Sequence, residues 1–237
     1  MTDVALTSFL QYLDLIGVLF NAMVGAVIAR NARLDPMGFG VLAIMSGLGG
    51  GLIRDTLLQA GPPLAIVDWR YFTTAIAGAL IVTLVHIEGR WWERLYPPID
   101  ALAVGCWAAA GAAKTVGLGH GWLPAILMGT ITAVGGSFVR DMVLRQVPAI
   151  LGGNTLYATW AIAAAGITVV GAELGQTALG SVVATLVGAG LVLLSKYKHW
   201  ALPQGDDAAT VGEAVQRMLA RRSARAGEHE VERKSKD

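Results

Sequence analysis

Seven long apolar runs follow one another along this chain, each separated from the next by a short polar or turn-forming segment. A bilayer core about 30 Å thick needs about 20 helical residues to cross it, and each run approaches that length. Breaker signals such as Gly61-Pro62-Pro63 and Pro97-Pro98 lie between the runs. We therefore predict an all-α membrane protein with seven transmembrane helices. The predicted spans are 13–29, 37–58, 71–87, 99–115, 122–144, 155–171 and 177–195.

The chain changes character after the seventh run. Residues 201–237 are hydrophilic, and only a weak apolar stripe formed by Val211, Val215, Met218 and Leu219 favours a short helix there. The expected organisation is a transmembrane domain over residues 1–200, followed by a polar tail over residues 201–237 for which we predict disorder outside that stripe.

An internal repeat links the first three runs to the next three. Residues at a constant offset of 86 match without a gap, so one register holds across three helices. Because each unit contains an odd number of spans, the second unit must enter the bilayer from the opposite side, which predicts inverted repeats. Repeat one covers about residues 10–90, repeat two about 96–172, and the seventh helix about 177–195. The matches are Asp14/Asp100, Val18/Val104, Gly25/Gly111, Gly49-Gly50/Gly135-Gly136, Arg54-Asp55/Arg140-Asp141, Leu58/Leu144, Pro62/Pro148 and Tyr71/Tyr157.

Composition supports the membrane class and excludes several others. The chain is 54% hydrophobic and only 15% charged, against about 25% charged residues in soluble domains. Its net charge is +1 without a basic, aromatic-rich patch, so we expect no nucleic-acid partner. The single Cys106 excludes an intrachain disulfide, and the four histidines lack metal-ligand spacing. We expect neither an enzyme nor a cofactor.

Basic residues near the span ends predict the orientation, because cytoplasmic loops are enriched in Lys and Arg. This bias places the N-terminus outside and the C-terminus in the cytoplasm. The cytoplasmic set is Arg30, Arg33, Arg90, Arg94, Arg140, Arg145, Lys196 and Lys198; the other side has Arg54, Arg70 and Lys114. The residues predicted to form an interfacial aromatic belt are Trp69, Tyr71, Trp91, Trp92, Tyr96, Trp122, Tyr197 and Trp200.

Two glycine-rich phrases are the main candidates for function. Gly49-Gly50-Gly51 precedes Arg54-Asp55, and Gly135-Gly136-Ser137 precedes Arg140-Asp141. Glycine weakens a helix and charge is costly in an apolar run. The glycines either let a neighbouring helix approach closely or break the helix so that carbonyls line a water-filled path. We favour the second interpretation.

Hydroxyl, glycine and arginine residues share one helical face in each phrase because they are four residues apart. The two stripes are Ser46, Gly50 and Arg54, and Thr132, Gly136 and Arg140. They could line one path across the bilayer with a cation at each end. In the alternative interpretation each Arg-Asp pair is only an interfacial anchor.

Three further charges are possible partners of these motifs. Asp14 and Asp100 open the first and fourth predicted helices, where a carboxylate caps free N–H groups. Alternatively, each pairs with an arginine of the other motif. Lys114 has Ile28 as its repeat counterpart, and its simplest role is to extend its amine toward the interface. A voltage- or ion-sensing role is the alternative.

With both phrases and the downstream Pro62 and Pro148 in view, the sequence resembles the bacterial branch of the trimeric intracellular cation (TRIC) channel family. That branch overlaps bacterial membrane proteins described as glycine transporters. The resemblance covers about residues 10 to 195. It implies a bacterial inner-membrane homotrimer with one pore per protomer, lined by second and fifth helices broken at their glycines. The permeant ions would be monovalent cations, chiefly potassium, with sodium as the other candidate. The implied pore-lining or gating residues are Ser46, Gly49, Gly50, Gly51, Arg54, Asp55, Thr132, Gly135, Gly136, Ser137, Arg140 and Asp141.

The sequence departs from the animal members, which carry a Lys-Glu-Val phrase that binds phosphoinositides. Here the position holds Arg140-Asp141-Met142 with Arg145 as the next basic residue, so we do not expect phosphoinositide regulation. Membrane lipids remain expected partners. Three functions stay open at this stage: a passive potassium-permeable channel, a secondary transporter of glycine or another small neutral solute, and a structural membrane protein.

Overall fold

The computed structural model describes residues 3–85, 90–151 and 156–200, and eight helices occur in this part of the chain. The predicted tail at 201–237 and the outer ends of the spans predicted at 71–87 and 155–171 lie outside the described residues. The helices are α1 (Asp3–Asn31), α2 (Pro36–Leu58), α3 (Leu64–Val67), α4 (Trp69–Leu84), α5 (Arg90–Gly117), α6 (Trp122–Val143), α7 (Tyr157–Glu173) and α8 (Thr177–Tyr197).

The helix bounds reproduce the internal repeat. Shifted by 86 residues, Pro36–Leu58 of α2 falls on residues 122–144, and α6 covers Trp122–Val143. In the same way α1 corresponds to α5, and α4 corresponds to α7. The packing repeats as well: α2 and α4 both pack on α1, as α6 and α7 both pack on α5. Helices α3 and α8 stand outside this pairing.

Length and apolar character make this an all-helical, multi-pass membrane protein. Five of the described helices contain segments long and apolar enough to cross a bilayer, in α1, α2, α5, α6 and α8. Helix α4 is apolar but has 16 residues, which gives about 24 Å of helix. Helix α7 has 17 residues and is also apolar.

Pro97 and Pro98 do not end a helix as the sequence predicts. Helix α5 runs from Arg90 to Gly117 with both prolines inside it. Transmembrane helices tolerate proline where neighbouring groups satisfy the freed backbone atoms. The fourth predicted span therefore begins about nine residues earlier than the sequence indicates.

The connection between α2 and α4 folds back as the short helix α3, which the sequence does not predict. Asp68 caps the N-terminus of α4 by accepting a hydrogen bond from the Arg70 backbone N–H. The Arg70 guanidinium also donates to both Asp68 carboxylate oxygens, which holds the pKa of that carboxyl below its usual range. Gln11 donates to Asp68 over 2.8 Å and so ties α1 to the start of α4.

Helix α8 packs within its own chain through small residues. A Cβ built on Gly180 would lie 2.8 Å from the Cα of Gly171 in α7, and one on Gly105 of α5 would lie 2.4 Å from the Thr185 carbonyl oxygen. Helix backbones come this close only where side chains are absent. The Gly180-Ala184-Gly188 ridge thus serves contacts inside the protomer.

Candidate functional site

Helices α2 and α6 cross in direct backbone contact at the two glycine phrases. A Cβ built on Gly50 would lie 2.1 Å from the Thr132 carbonyl oxygen, and one on Gly136 would lie 2.2 Å from the Ser46 carbonyl oxygen. Gly49 and Gly135 face the same crossing. We call this contact, formed by Gly49, Gly50, Gly135 and Gly136, the glycine crossing. It is closed, because no side chain holds the two backbones apart.

The prediction that these glycines break their helices is wrong. Helix α2 continues through Gly49–Gly51 and α6 continues through Gly135 and Gly136. An unbroken helix keeps its backbone hydrogen bonds satisfied in hydrocarbon, and removing side chains lets two such helices touch. Ser137 fits this arrangement, since its hydroxyl donates to the Val134 carbonyl within α6.

The hydroxyls of the two stripes are buried beside the crossing rather than facing an open path. Ser46 is fully buried and donates to the Asn21 side-chain oxygen over 3.0 Å, while fully buried Thr132 donates to the Met128 carbonyl over 2.6 Å. Gly25 makes room for Ser46, and Gly111 makes room for Thr132. These paired contacts obey the offset of 86.

A recess of about 470 Å³ opens on one side of the crossing. We call it the first recess, and the charged side chains that line it are Asp14, Arg54 and Lys114. Arg54 is 1% exposed and donates to Asp55 over 2.7 Å and to Asp14 over 3.1 Å. Lys114, with a side chain that is 28% exposed, donates to Asp55 over 2.7 Å. The Tyr71 hydroxyl completes the cluster by donating to Asp14 over 3.0 Å.

A second recess of about 310 Å³ contains the repeat-related residues. Arg140 pairs with Asp141 over 2.7 Å, as Arg54 pairs with Asp55. The Tyr157 hydroxyl donates to Asp100 over 3.2 Å, as Tyr71 donates to Asp14. Here the second cation is Lys196 of α8, which donates to Asp100 over 2.6 Å. Each recess is therefore lined by one carboxylate and two cations. A second carboxylate outside the lining, Asp55 or Asp141, pairs with the arginine of its cluster.

The aspartate of each phrase also fixes a loop. Asp55 accepts the Leu64 backbone N–H over 3.0 Å, at the start of α3. Asp141 accepts the Ala149 backbone N–H over 3.1 Å, directly after Pro148. The loops that follow α2 and α6 are thus attached to the charge clusters, so a movement of either cluster would reach its loop.

The two recesses are widely separated along both α5 and α8. In α5, Asp100 lines the second recess and Lys114 lines the first. These two residues are 14 positions apart in the helix, or about 21 Å. In α8 the corresponding residues are Lys196 and Thr177, about 28 Å apart. Most of the hydrocarbon thickness thus separates the recesses. A cleft of about 10 Å³ beside Trp107 and Gly51 leads from the first recess toward the crossing, with room for about one water molecule.

The structure corrects three predictions about the additional charges. Asp14 lies within α1 and Asp100 within α5, so neither caps a helix N-terminus. Asp14 pairs with Arg54 of its own repeat and Asp100 pairs with Lys196, so neither binds the arginine of the other motif. Lys114 does not simply reach for the interface, because it pairs with buried Asp55 across the two repeats.

Several residues of the site were missed by sequence reasoning. The sequence predicts Tyr71 in the aromatic belt, but its side chain is 3% exposed and donates a hydrogen bond to Asp14. Trp69 and Trp122 are exposed, as predicted. The match of Tyr71 with Tyr157 was the available signal. Lys196 was counted only as a cytoplasmic charge, since α8 has no repeat counterpart that could relate it to Asp100.

Metal binding gains no support from this site. Within residues 3–85, 90–151 and 156–200, no group of three or more His, Cys, Asp or Glu side chains could hold a metal ion. The arrangement offers paired charges instead, which can exchange partners with a mobile ion or a small polar solute.

Known proteins resemble this chain in sequence and in fold. The family model described as glycine transporter matches residues 11–86 and again residues 98–173. A UPF0126 membrane protein from Deinococcus radiodurans is 37% identical over 172 residues, covering 70% of this chain and 80% of its own. The UPF0126 inner membrane protein YadS from Escherichia coli K12 is 34% identical, covering 62% of this chain and 72% of its own.

Solved structures of channels match the fold. One, from work on the structural basis for conductance through TRIC cation channels, has a TM-score of 0.73 and 28% identity, covering 82% of this chain and 96% of its own. The TRIC trimeric intracellular cation channel orthologue from Rhodobacter sphaeroides has a TM-score of 0.69 and 27% identity, covering 80% and 95%. The sequence resemblance to these channels is thus confirmed.

Proposed function

Because this chain belongs to the glycine transporter family, whose model it matches twice, and has the fold of TRIC cation channels, we propose that it is a potassium-permeable cation channel. The permeation route would run through each protomer from the first recess, past the glycine crossing, to the second recess. The observation that carries this proposal is the pair of repeat-related, charge-lined recesses separated along α5, with a side-chain-free contact between α2 and α6.

The topology proposed for this channel has seven spans arranged as inverted repeats. The first recess combines the N-terminal half of α1 with the C-terminal end of α5, as expected if the two helices run in opposite directions. Helices α1, α2, α4, α5, α6, α7 and α8 would be the seven spans, with α3 in a loop. Further basic residues at the same end of the helices as the second recess, among them Arg30, Arg33 and Lys198, favour a cytoplasmic position for it, with the N-terminus outside. The proposed setting is the inner membrane, as a homotrimer like the trimeric orthologue.

The closed crossing implies a gated route. For an ion to pass, α2 and α6 must separate by enough to admit a hydrated or partly hydrated cation. The charge clusters can stabilise that movement, because a permeating cation could take the place of a lysine or arginine beside its carboxylate. Lys114 and Lys196 are the most exposed members of their clusters, with side chains 28% and 24% exposed, so we expect them to exchange partners first.

A carrier of a small zwitterion such as glycine is the second candidate. The charge cluster at each recess contains two carboxylates and two cations, which could bind a solute that has one ammonium and one carboxylate. A contact that seals the middle while recesses open at both ends also suits alternating access. The same residues would then bind the solute rather than pass an ion.

Planar-bilayer recording of the purified, full-length protein under a potassium gradient separates these two functions. The channel proposal expects unitary currents whose reversal potential is shifted from zero toward the potassium equilibrium potential. Silent bilayers, combined with saturable glycine uptake into proteoliposomes made from the same preparation, would overturn it in favour of the carrier. The control is a Gly50→Leu variant, which should eliminate activity of either kind because the leucine side chain would fill the route between α2 and α6 even when the two helices separate.

A further inference from the structure

An apolar groove of about 470 Å³ lies away from both recesses, between the end of α1, the start of α2 and the end of α4. Its mouth holds the two polar side chains Arg30 and Thr83. Its walls are apolar and come from α2, α4 and the loop that joins α1 to α2. They are formed by Leu34, Pro36, Phe39, Gly40, Ile44, Ile76, Ala79 and Leu80.

The Arg30 guanidinium at the mouth is only partly satisfied. Its Nη2 donates to the Val82 carbonyl in the last turn of α4. Its Nη1 is buried and, within the part of the chain that the structure describes, has no acceptor. Buried N–H groups without an acceptor are rare in proteins, and a charged donor gains most from an anionic acceptor. Among the described residues, the mouth of the groove thus supplies no anion to this nitrogen.

The depth of the groove matches one lipid chain. Along α2 it extends from Pro36 to Ile44, about 12 Å of helix, which is most of one half of a 30 Å hydrocarbon core. Arg30 and Thr83 stand near helix ends, where headgroups lie, and Ile44 and Ile76 stand deeper. Polar groups at the interface with apolar walls below are the arrangement that a phospholipid requires.

We propose that this groove binds one anionic phospholipid per protomer, with the phosphate on Arg30 and an acyl chain along α2 and α4. Planar guanidinium binds phosphate through two parallel hydrogen bonds, and basic sites between helices commonly hold anionic headgroups. The second repeat has no such site, since the counterpart of Arg30 is Val116. The proposal is independent of the channel function.

Native mass spectrometry of the full-length protein, extracted in mild detergent with phosphatidylglycerol or phosphatidylcholine added, tests this site. Wild-type protein should retain one phosphatidylglycerol per protomer and several-fold less phosphatidylcholine. Arg30→Gln should reduce phosphatidylglycerol retention at least fivefold. Arg33→Gln, which removes an exposed arginine three residues away, should retain it like the wild type.

A second variant keeps the test valid if Arg30→Gln does not fold. A Cβ on Gly40 meets nothing within 4 Å, so Gly40→Leu should fill the groove without disturbing the helices and should displace the lipid. Equal retention by wild type, Arg30→Gln and Gly40→Leu would overturn the proposal. The proposal would also be overturned if a Leu80→Cys variant formed a disulfide between two copies of the chain with a yield that added phosphatidylglycerol did not lower. A second chain would then cover the groove.

Discussion

Adding one methyl group at Gly50 should favour the open state of the route. In the closed structure the new Cβ would lie 2.1 Å from the Thr132 carbonyl oxygen, which is backbone and cannot rotate away. Overpacking of this kind costs about 1–3 kcal/mol. If the cost falls on the closed state alone, the ratio of open to closed protein rises by about 5- to 150-fold.

Single-channel recording measures this ratio as open probability, and the chain supplies a matched control. Gly51 lies next in the same triplet, but a Cβ there would meet only the Arg54 Nη2 at 3.7 Å, an ordinary contact. Gly50→Ala should therefore raise open probability, and Gly51→Ala should leave it near the wild-type value. Gly136→Ala should act like Gly50→Ala, since its Cβ would lie 2.2 Å from the Ser46 carbonyl oxygen. Equal open probability in Gly50→Ala and Gly51→Ala, with both proteins assembled, would refute the reasoning.

Three further predictions concern stability and assembly. Asp14→Asn should lower the free energy of unfolding by about 3 kcal/mol, because buried Arg54 loses one of its two carboxylates. Tyr71→Phe should lower it by only about 1 kcal/mol. Thermal denaturation in detergent should rank the two variants in this order, and the reverse order would contradict the pairing of Asp14 with Arg54. Gly105→Ala should destabilise by about 1–3 kcal/mol and Gly190→Ala should not, since only the first Cβ meets backbone; similar melting temperatures for the two would disprove that α5 and α8 pack through glycine. Removing residues beyond about 205 should leave assembly and conduction intact, and an unassembled truncated protein would show that the tail is required.

The repeat made most of the fold predictable from sequence. A register of 86 residues with matching polar positions placed six of the helices, and their bounds agree with it within a few residues. Helix α3 was missed because four residues after Pro63 are too few for a periodic pattern. The start of α5 was missed because proline in a membrane helix is not a reliable stop signal.

The candidate site was less predictable. A glycine cluster permits either a break or a close contact, and only the neighbour decides: here Gly50 faces the Thr132 carbonyl. Charge partners depend on three-dimensional packing for the same reason. Lys196 reaches Asp100 across 96 residues, a separation that no local pattern could reveal.

A reversible crosslink across the glycine crossing tests the central claim most directly. A Cβ on Gly49 would lie 3.6 Å from the Cβ of Val139, within the range of a disulfide, and the native Cys106 is buried. In the Gly49→Cys/Val139→Cys protein, oxidation should abolish potassium current and reduction should restore it, while neither single variant responds. Undiminished current through fully crosslinked protein would contradict a route that opens between α2 and α6.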